Sequence, residues 1–70
     1  MFIYTKHALE KMDALGIDNG EIENTITKGM KWKEKDSDKW HAQMASVETV
    51  FMKEGNNFVI ITAYYAGRQK

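Results

Sequence analysis

The sequence contains no cysteine, no proline and only two histidines, and it carries no net charge. Without cysteine there is no disulfide framework, no thiolate zinc site and no thiol nucleophile. His7 and His41 alone make a poor metal set, so neither a metal nor a cofactor is expected. Ten basic residues balance ten acidic ones, with a pI near 6.7, which is not the footprint of a general nucleic-acid binder, so any contact with RNA must be local. Long apolar runs are missing too. The longest, Phe58 to Ile61, falls far short of the roughly 20 residues that span a bilayer, and Met1 to Tyr4 leads into a charged segment rather than a leader. The expectation is a cytoplasmic protein with no membrane partner.

What is present is a globular composition: 70 residues, 43% hydrophobic and 29% charged. A chain of this length is one domain, residues 1–70, and it buries only about 60% of the surface its unfolded form exposes. Met1 to Tyr4 is aromatic and β-branched and reads as a strand. Thr5 then offers an N-cap hydroxyl to a helix whose Ala8, Met12 and Leu15 form one apolar stripe and which Gly16 stops. Asp18 and Glu21 have the spacing of a capping box, and Ile22 and Ile26 continue a second helix as far as Gly29.

Beyond Gly29 the pattern has a period of two. Trp32 and Glu34 alternate with Lys31, Lys33 and Lys35, and Asp36, Ser37 and Asp38 supply turn chemistry before Trp40. Trp40 to Met52 reads as one strand whose parity slips at Ala45 and Ser46, the mark of a bulge or bend. Glu54 to Asn57 is a turn, and Phe58 to Tyr65 is apolar on both parities, as a strand covered on both faces would be. The expected fold is therefore α+β, strand-helix-helix-strand-strand-strand, with the helix pair against an antiparallel sheet. By segment, residues 1–30 hold three lysines against five acids, 31–40 four against three, and 41–70 three basic residues against two. The helices are acidic and the sheet is mildly basic.

His7 lies in the first turn of the first helix, where the dipole favours a neutral imidazole able to act as general base on a ribose 2′-hydroxyl. The alternative is a polar tether that ties the helix to a neighbouring strand. Lys11 shares its helix face at i, i+4, either as a clamp for phosphate or as a solvated lysine. Lys31, Lys33 and Lys35 project from one strand face at roughly 6.7 Å spacing, close to the repeat of an extended RNA backbone, and Lys39 and His41 extend the patch. Trp32 or Trp40 can stack a base if exposed beside those lysines. A lysine-protected sheet edge has the same appearance. Glu10 and Glu48 are alternative bases that spacing does not single out.

The run Tyr4-Thr5-Lys6-His7-Ala8-Leu9-Glu10-Lys11-Met12, followed by Leu15-Gly16-Ile17-Asp18, resembles the signature of a small prokaryotic family of unknown function. The tail Val59-Ile60-Ile61-Thr62-Ala63-Tyr64-Tyr65 is similar to that family's last strand. The family resembles in turn the RelE-like and BrnT-like toxins, small ribonucleases of toxin–antitoxin pairs. The resemblance implies a helix pair on a sheet, and it implies that Arg68, with Tyr65 or Tyr64, completes an active site near the end of the chain. It further implies RNA or the ribosome as target and an antitoxin as protein partner.

Two functions follow. The first is a metal-free ribonuclease toxin, with His7 as base, Lys11 and Arg68 on the scissile phosphate, Tyr65 beside them, and the lysine strand with Lys39 and His41 holding RNA. The second is a non-catalytic binding module that keeps the fold and uses an apolar surface for a partner or a homodimer. Leu15, where the family carries a basic residue, and the absence of net charge favour the second.

Overall fold

In a computed structural model, which describes residues 1–66, the elements run β1 (Phe2–Tyr4), α1 (Lys6–Leu15), α2 (Asn19–Lys28), β2 (Met30–Lys33), β3 (Trp40–Met44), β4 (Val47–Glu54) and β5 (Asn57–Tyr65). Two helices and a five-stranded sheet in the order β1-β5-β4-β3-β2 make an α+β domain. The sheet is mixed rather than antiparallel: β1 runs parallel to β5, while the other three pairings are antiparallel. There is also one strand more than the sequence pattern suggests. Trp40 to Met52 is not a single bent strand, because Ala45 and Ser46 form a two-residue reversal closed by the Met44–Val47 pair. Ala45 turns the chain at φ 55, the left-handed region that a β-carbon normally disfavours.

The helix boundaries follow local chemistry. The Thr5 hydroxyl accepts from the Ala8 amide, and Gly16 ends α1 at φ 72. Asp18 and Glu21 exchange side-chain and backbone bonds in a full capping box that opens α2. Thr5 has a second task. Its amide donates to the Ile60 carbonyl at 3.1 Å, and its hydroxyl lies 2.9 and 3.1 Å from the carbonyls of Ile60 and Ile61. At that point the β4–β5 register jumps from Val50↔Thr62 to Phe51↔Ile60, so Ile61 is a bulge and its freed carbonyl finds Thr5. At the α2–β2 joint, a β-carbon on Gly29 would overlap the backbone oxygens of Gln43 and Thr25, so only glycine lets α2 sit this close to β3.

Both helices lie on one face of the sheet. Ala8, Met12, Ile17, Ile22 and Ile26 pack on Ala42, Val47, Phe51, Ile60 and Ala63 to form the core. Phe2 stacks on Phe58 at its edge, and the Tyr4 hydroxyl donates to Glu23 at 2.9 Å, pinning β1 to α2. Burial and that carboxylate raise the Tyr4 pKa above its ordinary value. Within the core the Thr25 hydroxyl reaches the Ile22 carbonyl at 2.6 Å and the Thr49 hydroxyl at 2.9 Å. β5 is thus covered by helices on one face only, which corrects the expectation of cover on both and leaves Thr62 and Tyr64 on the other side.

Candidate functional site

Register determines what shares the uncovered face. Residues opposite each other in a ladder project to the same side. Trp32 stands opposite His41, His41 opposite Val50, and Glu48 opposite Tyr64, so these side chains from β2, β3, β4 and β5 converge on the face away from the helices. Glu34, two residues beyond Trp32, has the same parity and reaches the same spot.

The group is built around His41. Its Nδ1 lies 2.7 Å from Glu48 Oε2 and its Nε2 lies 2.6 Å from Glu34 Oε2. The Tyr64 hydroxyl donates to the same Glu48 oxygen at 2.6 Å. Carboxylate oxygens only accept, so both ring nitrogens must donate, and the geometry calls for an imidazolium. Electrostatics agree. Burial alone lowers the His41 pKa, but its hydrogen bonds to Glu34 and Glu48 outweigh this and raise it above the ordinary value. The His41 bond likewise lowers the Glu34 pKa, with a smaller contribution from the nearby charge of Lys39. Tyr64, partly desolvated and bonded to a carboxylate, is pushed up to about 12 and stays a donor at neutral pH.

The two carboxylates differ in setting. Glu48 stands on an inner strand with its side chain 12% exposed, whereas Glu34 lies past the end of an edge strand and is 38% exposed. The Trp32 indole lies flat on the imidazole, centroids 5.3 Å apart and planes 7° apart, and is itself 38% exposed. These polar and aromatic side chains roof over Val50, which is buried although it faces away from the core. Glu34 and Glu48 bind opposite edges of one ring and cannot converge on an ion, and among the described residues no three acidic or histidine groups are placed to hold a metal.

The residues singled out by sequence are scattered. His41 stands at the centre and Lys39 on the rim. Lys31 and Lys33 pair with Ala42 and Trp40 and so project to the helix-bearing side, where the Lys31 ammonium caps the Gly29 carbonyl at 3.0 Å. Lys35 is in the β2–β3 loop and exposed. The lysines therefore do not flank the exposed Trp32. The tryptophan on their side, Trp40, is half-buried against Phe51 with the Lys53 ammonium 4.2 Å above its ring. His7 is exposed and Lys11 half-exposed on α1, which packs on the other side of β5 from Tyr64. Tyr65 is also on the helix side, its hydroxyl donating to the Leu15 carbonyl at 3.0 Å. Arg68 lies outside the described residues.

The sequence offers Glu48 and Tyr64 only as alternatives, and it does not single out Glu34. Its one signal was parity: Trp32 and Glu34 share a face opposite to the lysines between them.

Among the described residues no helix is long and apolar enough to cross a membrane. A family model described as a domain of unknown function, DUF4258, matches residues 4–65. No curated protein matches the chain, and no solved structure matches it either.

Proposed function

The chain belongs to the DUF4258 family, and from its own site we propose that it is a metal-free ribonuclease acting on single-stranded RNA at the uncovered sheet face. The observation that carries this reading is the hydrogen-bonded pair of Glu48 and His41 on the sheet face that the helices leave uncovered. A carboxylate beside an imidazolium is the base and acid that RNA transesterification needs. Glu48 takes the 2′-hydroxyl proton as that oxygen attacks phosphorus. His41 gives its Nε2 proton to the departing 5′-oxygen, leaving a 2′,3′-cyclic phosphate and a free 5′-hydroxyl. Tyr64 holds the reacting carboxylate in place, and the exposed indole of Trp32 offers a stacking platform to a neighbouring base. This moves the proposed chemistry from His7, Lys11 and Tyr65 on the helix side to the opposite face. The resemblance to toxin–antitoxin ribonucleases adds an antitoxin that covers this face.

The test is cleavage of single-stranded RNA, and inhibition of cell-free translation, by the purified protein and its variants. Glu48→Gln and His41→Gln are each expected to reduce cleavage by about 10²-fold or more, with His7→Ala unchanged. Loss in His7→Ala with activity kept in His41→Gln would return the site to α1.

A second reading has its own support. Both His41 nitrogens are already bonded, as in a network that only shapes a binding surface. A non-catalytic module, with a protein partner or a second copy on this face, predicts intact RNA and normal translation for every variant.

A further inference from the structure

Taking the open face as an RNA surface, we propose that the Glu34 carboxylate stands in for a substrate phosphate, and that Nε2 of His41, with Lys39 beside it, is the position at which this protein takes a phosphodiester. The two carboxylates on the ring are not equally held. Glu48 is fixed by Tyr64 and by its place on β4, so it stays. Glu34 is more exposed, follows the last residue of an edge strand, and opens a loop that closes through its amide on the Lys39 carbonyl at 2.9 Å. It can swing outward while its backbone remains bonded.

The position it would vacate suits an anion. A carboxylate and a phosphate both present oxygens to charged N–H donors at the same distances. With Glu34 in place, the charges of Glu34 and Glu48 cancel those of His41 and Lys39. With Glu34 turned away, the site carries one net positive charge, and the Nε2 proton, the one the leaving oxygen needs, points at the incoming group. Access to the acid is thus coupled to the arrival of a phosphate. This reconciles a saturated imidazole with a role as proton donor, and it gives a neutral chain a local preference for anions that its total charge does not advertise.

Binding can be measured without cleavage. The full chain, Glu34→Ala, Glu34→Gln and His41→Gln are titrated with inorganic phosphate and, separately, with a single-stranded 2′-deoxy trinucleotide that lacks the attacking hydroxyl, following by NMR the His41 ring resonances and, in His41→Gln, which has no ring there, the Trp32 indole N–H resonance. Freeing the donor from a charge-assisted bond is expected to tighten both ligands about tenfold in Glu34→Ala. The effect should be smaller in Glu34→Gln, whose amide oxygen still accepts, and binding should be lost in His41→Gln. Equal or weaker binding by Glu34→Ala, or shifts that bypass the His41 ring, overturns the proposal. Tightening for inorganic phosphate alone overturns the phosphodiester assignment. If Glu34→Ala binds tighter but the wild-type chain leaves RNA uncut, the ribonuclease reading falls and the phosphate site stands. If RNA is cut and Glu34→Ala binds no tighter, the reverse holds.

Discussion

The indole of Trp32 covers the imidazole of His41 in a near-parallel stack, so the emission of one ring reports the charge of the other. A protonated imidazole quenches a stacked indole more strongly than a neutral one. In a Trp40→Phe background, fluorescence is expected to rise with pH with a midpoint above 6.5, the ordinary histidine value, because the two carboxylates favour the charged ring. The midpoint should fall in Glu34→Gln and in Glu48→Gln. A midpoint at or below 6.5 in the parent would mean that burial outweighs the carboxylates.

The same charge has a thermodynamic counterpart. A histidine whose pKa is raised on folding stabilises the protein fully below the unfolded value of 6.5, and that contribution is lost as pH rises through the folded value. Glu34, lowered on folding, contributes above 4.5, and loses its contribution as pH falls through its folded pKa. Urea midpoints measured from pH 4 to pH 9 are therefore expected to decline on the alkaline side of about 6.5, and His41→Gln should flatten that decline.

Thr5 serves both a helix and a bulge, so its loss should exceed an ordinary cap deletion. Thr5→Val is expected to cost about 2 kcal/mol, at the upper end for a cap, because a carbonyl at the bulge also loses its donor. Thr5→Ser should restore most of it. Equilibrium denaturation checks both, and a cost below about 0.5 kcal/mol would show that water replaces the hydroxyl.

The buried Thr25–Thr49 pair predicts an asymmetry. In Thr25→Val the Thr49 hydroxyl, fully buried, loses its partner, an expected cost of about 1–3 kcal/mol. In Thr49→Val the Thr25 hydroxyl still reaches the Ile22 carbonyl, so the cost should be smaller. The double variant removes both hydroxyls and should be no worse than Thr25→Val. A double variant that is additive would contradict the pairing.

Ala45 offers the opposite sign. A non-glycine residue in the left-handed region costs about 1 kcal/mol or more; glycine removes that strain, and the greater freedom of its unfolded chain offsets part of the gain. Ala45→Gly should raise stability by about 0.5 kcal/mol, measurable as a higher urea midpoint with an unchanged slope.

What could be read from the chain follows from how local each signal is. Thr5, Gly16, Asp18 and Glu21 bound the two helices through bonds within one turn, and all four sit where their residue types suggest. The reversal at Ala45 was hidden because its left-handed residue is an alanine and not the glycine or asparagine that usually marks such a turn. The parallel pairing of β1 with β5 depends on contacts some 56 residues apart, as Phe2↔Phe58 shows, and no local pattern carries it. The site was obscured for the same reason. The parity of Trp32 and Glu34 was visible, yet their meeting with His41, Glu48 and Tyr64 requires three ladders in the right register. His7 drew notice through its place at a helix start, but the exposed position it occupies is decided by which face of α1 the sheet claims.

The place of β5 between β1 and β4 also governs when this protein becomes complete. The strand that supplies Tyr64, receives Thr5 and pairs with β1 is the last of the described elements to be synthesised. Until it arrives, β1 has no neighbour and the far side of β4 is a bare edge. A nascent chain therefore carries its helices early, while the grouping around His41 lacks its tyrosine, so assembly of the sheet and onset of any activity at this face are expected to coincide with the emergence of β5.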